Sequence, residues 1–449
     1  MSLTAIPVAK GGVPGLGHLP RLLRNPLGAL RSLHTEGPVL RLQVANMPVV
    51  LVTSPEAVHE VLVNGKSFNK GRMFERVRSF SGNGLASSDG AYHRRQRRLI
   101  QPMFYKERLA GYAETIGNQA RALADSWSDG QVIDAHQAMG SYAIEVLTKT
   151  LFGTDIGGPA IRAVQEDVPL LNSYLLRRAF APESLDRLPI WKAFDQASAR
   201  MRSVFDDAIA ATRASEPETR GDLLSLLLSA RDETGAGLTD QEVRDELTTM
   251  LFAGSETVVS TLSWTLYHLG QHPEVEQELL TEIHDVIGDR QITFADVPRL
   301  PSIGRVLDEV IRLHGVVATM RRTTEDVTIG GYTIPADTEV LLSLYALHRR
   351  PDLYPNPDRF DPTRWLPEQV AARPRQHVIP LGAGAHKCIG DKFAWMEATI
   401  TLATILPRWQ LRSVADSKPP KEAVAAVAHP IRVPMVIQQR QIGAQSMTT

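Results

Sequence analysis

Cys388 is the only cysteine in a chain of 449 residues. It lies in Pro380-Leu-Gly-Ala-Gly-Ala-His-Lys-Cys-Ile-Gly-Asp-Lys-Phe393, with Gly382, Gly384 and Gly390 on either side. A lone thiol forms no intramolecular disulfide and has no thiolate companions for a zinc cluster. It can ligate one metal as a thiolate. Glycines ahead of it let the backbone turn back so that amide N–H groups approach the sulfur. The helical pattern that begins just after it offers the positive end of a dipole, which favours the thiolate. A single cysteine is most often only a small buried hydrophobe, so its surroundings must decide.

Other groupings could also carry chemistry. Met250-Leu-Phe-Ala253-Gly254-Ser255-Glu256-Thr257 falls in the middle of a helical segment expected over 240–271. Gly and Thr weaken a helix centre relative to Ala. Their presence predicts either close packing or a local opening of the hydrogen-bond ladder at a functional site. His93 and Arg97 lie one turn apart in a basic run and can hold one anionic group jointly. Such a run otherwise reads as a solvated helix face or a phosphate-binding patch. Glu309 and Arg312 stand at i, i+3 among Val306, Leu307, Val310, Ile311 and Leu313, so the pair is partly buried and needs a further partner. His268 and His272 have metal-ligand spacing, but they sit in a last turn beside Gly270 and Pro273, where His is favourable for its own sake. Asp206-Asp207 is the nearest approach to an acidic magnesium motif. Its final acid is missing, since Ala210 stands there, and an exposed helix face explains it better than a terpene cyclase centre.

Gly384-x-His386-x-Cys388-x-Gly390 resembles the haem-binding loop of the cytochrome P450 superfamily, with Cys388 as the iron ligand. Ala253 to Thr257 resembles that family's oxygen-activating motif. The resemblance implies a catalytic pair, Thr257 as hydrogen-bond donor at the oxygen site and Glu256 as proton relay. It implies propionate contacts from His93, Arg97, Arg321 and His386, and places Ala253, Gly254, Leu381, Gly384 and Gly390 at the cofactor. Arg359, in Pro357-Asp-Arg359-Phe360-Asp-Pro362-x-Arg364-Trp365, would complete a structural triad with Glu309 and Arg312. Leu381 departs from the usual Phe, which leaves the tuning of the iron open, and His386 stands where Arg is commoner.

The fold so implied is mainly α with small β-sheets (α+β), one domain over 1–449. Haem b would lie between the long central helix and the cysteine loop. The activity implied is a haem-thiolate monooxygenase that takes O2 as co-substrate and acts on an apolar small molecule. No dinucleotide fingerprint, flavin or iron–sulfur domain is attached. Electrons from NAD(P)H are therefore expected through a separate ferredoxin and ferredoxin reductase. The arginines left over beside His93 and Arg97 would face outward to dock an acidic partner. The overall pattern resembles actinobacterial sesquiterpene oxidases, implying secondary (antibiotic) metabolism and oxidation at an allylic methyl. The alternatives are a macrolide, steroid or fatty-acid substrate, or a non-catalytic haem-binding protein. The last would have no need of Glu256-Thr257.

The elements that must position these residues follow from pattern. Residues 7–20 are Pro/Gly-rich, so 1–20 reads as a lead-in, and 440–449 as a flexible tail. Val39–Val44 and Val49–Thr53 are strand-like around Asn46-Met-Pro48. Ser54-Pro55 opens a helix to Val63. Residues 70–88 lose periodicity and read as a long loop. Helices follow at 105–127, 137–152, 159–177, 189–213 and 219–230, with Arg178–Pro189, including Pro182, as a lid. Strands flank Gly330-Gly331, and 389–406 reads as an amphipathic helix. Phe80, Met250 and Val317, the last within Val316-Val317-Ala318, are expected to line the substrate pocket. With 49 basic and 50 acidic residues, net charge is −1 and nothing suggests nucleic acid. Met1–Leu19 lacks a signal-peptide core and no run approaches a membrane span. A cytoplasmic, unanchored monomer of bacterial type is the expectation.

Overall fold

The computed structural model describes residues 3–45, 47–153, 157–181, 183–214 and 221–440. Asn46, Pro182, the first two residues of the 219–230 helix and the tail 441–449 lie outside the described residues.

A five-stranded sheet carries its own small hydrophobic clusters. Its order is Val39–Val44, Met47–Val52, Glu339–Leu342, Thr319–Thr323, Phe68–Asn69. All its pairings are antiparallel except Val49↔Glu339 through Val52↔Leu342, which is parallel. This register brings Arg321, a strand residue, beside Lys70, which directly follows the edge strand. Pro55–Val63 is helical as expected, with Ser54 Oγ accepting from Ala57 N–H at 3.4 Å.

The helical body holds most of the core. The central helix runs Asp240–Gln271, opened by a Thr239/Glu242 capping box. It packs on Ala135–Phe152, and the Ala-Gly-x-acid-Thr stretch stays helical throughout. A Cβ on Gly254 would meet the Leu147 methyls at 3.3 Å. Close packing, not an opened ladder, explains that glycine. The remaining helices, Lys106–Asp125, Gly157–Phe180, Lys192–Ala214 and Leu223–Ser229, match the expected series with shifted ends.

Two local readings fail. Residues 72–81 are helix, not loop. Met73, Val77 and Phe80 do recur at helical spacing, but the segment is only 10 residues and is bounded by Gly71 and Gly82, both at positive φ. Gly82 is required by tertiary contact, since a Cβ there would meet Asp245 Oδ1 at 2.1 Å. Asp245 and Glu246 of the central helix accept from the N–H groups of Asn83 and Leu85, at 2.7 and 3.0 Å, and so clamp the chain that follows. The last helix, Asp391–Ile405, is not amphipathic. Phe393, Met396, Ile400, Leu402 and even Glu397, Thr399 and Thr401 are buried, because it packs against both Lys106–Asp125 and the central helix.

Glu397 is 3 % exposed, and burial pushes its carboxyl up to about 8. Among the described residues no cation pairs with it. A carboxyl raised from about 4.5 favours the folded state at low pH. That contribution is lost as pH rises through about 8. Glu397→Gln is therefore expected to flatten the fall in stability between pH 5 and pH 8 by a few kcal/mol, on the order of 3–5. Urea midpoints at the two pH values measure it. An unchanged difference would show that Glu397 ionises no differently in the folded chain.

Glu309 and Arg312 are joined by two bonds of 2.8 Å, both side chains inaccessible. The partner expected at Arg359 is a different residue. Arg364 Nε lies 3.4 Å from Glu309 Oε1, whereas Arg359 is exposed and offers only its carbonyl, 3.3 Å from Arg312 Nη2. The 3₁₀ turn Pro362–Trp365 carries Arg364 and Trp365 inward together, and Trp365 Nε1 donates to Glu309 at 3.0 Å. No helix among the described residues is long and apolar enough to cross a membrane.

Candidate active site

The cysteine loop is built by backbone geometry. Gly382 and Gly384 have φ of +75° and +68°, values that favour glycine. At Gly384 a Cβ would also meet the Leu62 carbonyl oxygen at 2.5 Å, so the loop passes against the end of Pro55–Val63 only because no side chain is there. The turn closes with Cys388 N–H donating to the Leu381 carbonyl at 3.0 Å. Cys388 itself is exposed. Its thiol is nevertheless pushed up, first by the surrounding protein mass, with Asp391 adding. The Gly390 N–H and the cations of Arg97 and Lys387 pull the other way. Desolvation by the surrounding protein outweighs the helix start and the nearby cations at the free thiol; a metal, which takes the deprotonated form, would work against that shift.

The helix Gly90–Ile100 brings its basic residues to this loop. Arg97 donates to the Lys387 carbonyl at 2.7 Å. His93 Nε2 lies 3.3 Å from His386 Nδ1, and His386 Nε2 lies 3.5 Å from Asp89. Burial, then Lys70, lowers both rings, His93 to about 3 and His386 to about 2. Arg321 is 5 % exposed and burial lowers it to about 10, with Asp89 opposing. The cluster includes a residue that sequence reasoning missed. Lys70, also 5 % exposed, donates to the carbonyls of Leu85 and Ala86 at 2.7 and 2.8 Å, and burial lowers it to about 7. No periodicity marks it in the sequence. Only the pairing of Phe68–Asn69 with Thr319–Thr323 does. Lys70, Arg321 and His386 converge on Asp89, with His93 beside His386 and Arg97 against the cysteine loop, a set of cations and N–H donors suited to an anionic ligand next to the thiol.

The other arginines of the basic run are not a free patch. Arg95 is engaged by Asp232 and Glu242 at 2.7 and 3.1 Å, and Arg98 by Glu233 at 2.8 Å. Arg94 remains exposed.

On the central helix, Ala253 is exposed, while Met250, Gly254, Glu256 and Thr257 are half-buried. Thr257 Oγ1 donates to the Ala253 carbonyl at 2.7 Å, so its hydroxyl is oriented by its own helix. A cavity of about 240 Å³ lies between this helix, Arg72–Ser81 and Lys192–Ala214. Its apolar wall is Phe80, Leu171, Phe194, Phe205, Leu251 and Phe252. Phe80 lines it, edge-on to Phe194 at 5.3 Å. Met250 packs beside the core instead. Val317 is a correction: it is 3 % exposed, in a separate cluster with Leu30, Tyr345, Ala346 and Ala428, because extended backbone turns it away from its half-buried neighbours Val316 and Ala318.

The segment read as a lid is tied down. Asp186 accepts two bonds from Arg76, at 2.8 and 2.7 Å, and the Arg178 guanidinium stacks 4.8 Å over Phe194. Asp186→Ala is expected to speed substrate dissociation about fivefold, the effect of losing about 1 kcal/mol from a half-exposed bidentate pair. Stopped-flow absorbance would measure it, and an unchanged rate would show that this pair does not gate the cavity.

His268 meets His314, Nε2 to Nε2 at 3.0 Å, and His272 Nδ1 meets the His268 carbonyl, so both are structural. No cluster that could hold a metal through three His, Cys, Asp or Glu residues occurs among the described residues. Asp206 and Asp207 are exposed, and Asp206 accepts from Arg244.

The profile of the cytochrome P450 family matches residues 7–435. The chain is 40 % identical over 433 residues to cyclooctatin synthase of Streptomyces melanosporofaciens, covering 95 % of this chain and 94 % of that one. It is 35 % identical to pentalenene oxygenase of Streptomyces avermitilis, covering 97 % and 98 %. The solved haem domain of cytochrome P450DA superposes with a TM-score of 0.87 at 27 % identity, over 97 % and 98 % of the two chains. With likeness in sequence and in fold running nearly end to end, the chain belongs to the cytochrome P450 family and is a monooxygenase of that family.

Proposed function

We propose that this monooxygenase holds haem b through Cys388 and oxidises an apolar terpenoid. One observation supports the cofactor assignment above others. Arg97 donates to the carbonyl next to Cys388, so the buried cation cluster and the lone thiol are parts of one site. His93, Arg97, His386, Arg321 and Lys70 would hold the two propionates, and Cys388 the iron. When bound there, haem with a thiolate on its iron activates O2 for insertion into a C–H or C=C bond.

The chain's own residues do the rest. Ala253 and the close-packed Gly254 leave room on the helix surface at the reaction site. Thr257 presents a hydroxyl, and Glu256 an acid that can move protons to it. The aromatic and aliphatic part of the cavity wall takes an apolar molecule, with Arg78, Arg202 and Arg244 at its polar side. Names among the relatives, pentalenene oxygenase above all, favour a terpene over the other substrates considered. Electrons are proposed to come from NAD(P)H through a ferredoxin and its reductase.

A screen for substrate-induced high-spin absorbance shifts tests the substrate class. Polycyclic terpene hydrocarbons and alcohols are expected to produce the shift at micromolar concentration. Saturable shifts with a macrolide, steroid or fatty acid, and none with terpenoids, would overturn the assignment.

A further inference from the structure

Glu256, Ser260 and Trp264 are spaced four apart and share one face of the central helix. All three meet the same short strand, Ala428–Pro430. Trp264 Nε1 donates to the Ala428 carbonyl at 2.8 Å, and Ser260 Oγ reaches it at 3.5 Å. The strand is thereby pinned to the helix one residue before His429, whose Nδ1 lies 3.5 Å from Glu256 Oε1.

Neither of those two atoms has another partner. Glu256 Oε1 and His429 Nδ1 are both closed to solvent and unpaired. Buried polar atoms are nearly always paired, and 3.5 Å is just beyond a good hydrogen bond. The gap is too short for a bridging water, so a small side-chain rotation that lets them share one proton is the direct way to satisfy both.

The other groups facing His429 leave it that role. The His136 ring, from Ala135–Phe152, stacks on it at 5.8 Å and 7°. Ser263 donates its one hydroxyl proton to the Val259 carbonyl at 2.6 Å, so towards His136 Nδ1, at 3.2 Å, it can only accept. His136 Nδ1 therefore carries a proton, and burial, then His429, disfavours a second one by pushing the ring's pKa down. Asp134, the next charge out, is engaged by the N–H groups of His136 and Val433 and lies 3.7 Å from Arg432.

We propose that His429 is the positioning residue of Glu256 and the source of the proton that this carboxylate passes on towards Thr257. The inference rests on reading Glu256-Thr257 as the catalytic pair. In the step, the Nδ1–H bond of protonated His429 breaks and an O–H bond forms on Glu256. The ring becomes neutral and the carboxylate a neutral acid. Rotation of the ring, whose side chain is 24 % exposed, turns the deprotonated Nδ1 to solvent, where it takes a replacement proton from a hydronium ion.

The first test needs no turnover. In the full-length, haem-loaded protein labelled with 15N-histidine, Glu256→Gln is expected to move the His429 ring resonances, and to leave those of exposed His284 in place. Unmoved His429 resonances overturn the proposal. In His429→Ala, product formed per NAD(P)H is expected to fall about tenfold, with a larger D2O effect and an altered pH profile. The reduced carbon monoxide spectrum and the substrate-induced shift should stay as in the wild type. Wild-type coupling, isotope effect and pH profile in that variant also overturn it. Absence of a thiolate spectrum in the wild type would instead refute the haem reading, and the NMR comparison would still decide the His429–Glu256 pair.

Discussion

Cys388→Ala is expected to abolish the strongly red-shifted Soret band of the dithionite-reduced, carbon monoxide-treated protein and to leave the chain folded. The sulfur is exposed and contributes nothing to the core. The loop is shaped by Gly382, Gly384 and the backbone bond from Cys388 N–H to Leu381, all of which alanine preserves. Only the ligand atom is lost, and with it the electron donation that favours O–O cleavage. Turnover should fall at least about a thousandfold, equivalent to about 4 kcal/mol of barrier. His386, two residues away, is already engaged by His93 and Asp89 and makes a poor substitute. A red-shifted band that survives in the variant would rule out Cys388 as the ligand.

Arg312→Ala should cost about 3–5 kcal/mol, much of the stability of an ordinary domain. The change takes from the fully buried Glu309 its two-bond cation and leaves it the longer contact to Arg364 and the Trp365 N–H. It also removes the donor from the carbonyls of His348 and Pro357, at 2.8 and 2.7 Å, and from that of Arg359. Three carbonyls and a charge are left without their cation. Little folded, haem-loaded protein is the expected yield. Arg359→Ala, by contrast, alters an exposed side chain whose structural contact is made by its backbone, and should fall within about 0.5 kcal/mol of wild type. Arg364→Ala should lie between the two. Chemical denaturation of the three variants would order them, and equal losses at 359 and 364 would contradict the geometry.

Much of this molecule can be read from local pattern. The central helix and its terminus are visible because a long periodic segment, a Thr-x-x-Glu cap and a terminal His-Pro report the backbone's own preferences. The cysteine loop is visible because positive φ and close approach demand glycine at fixed offsets from a thiol. The Glu309–Arg312 pair is visible because i, i+3 on a helix is a neighbour relation set by geometry alone.

What the tertiary structure decided lies across long separations. Arg95 and Arg98 look free until Asp232, Glu233 and Glu242 arrive from more than 130 positions away to neutralise them. Lys70 belongs to the cation cluster only because its strand pairs with the one that carries Arg321. Residues 72–81 are bounded by glycines that fit against distant side chains, Gly71 against Glu339 and Gly82 against Asp245. His429 meets Glu256 because Trp264 pins a hairpin that no local pattern connects to the central helix. Sequence alone determined most of the backbone conformations and the identity of the reactive atoms, since these are set largely within a few bonds. Which charges remain unpaired, and which acid has a proton source, depends on packing between distant segments, where the electrostatics of each group are fixed by neighbours the local sequence does not contain.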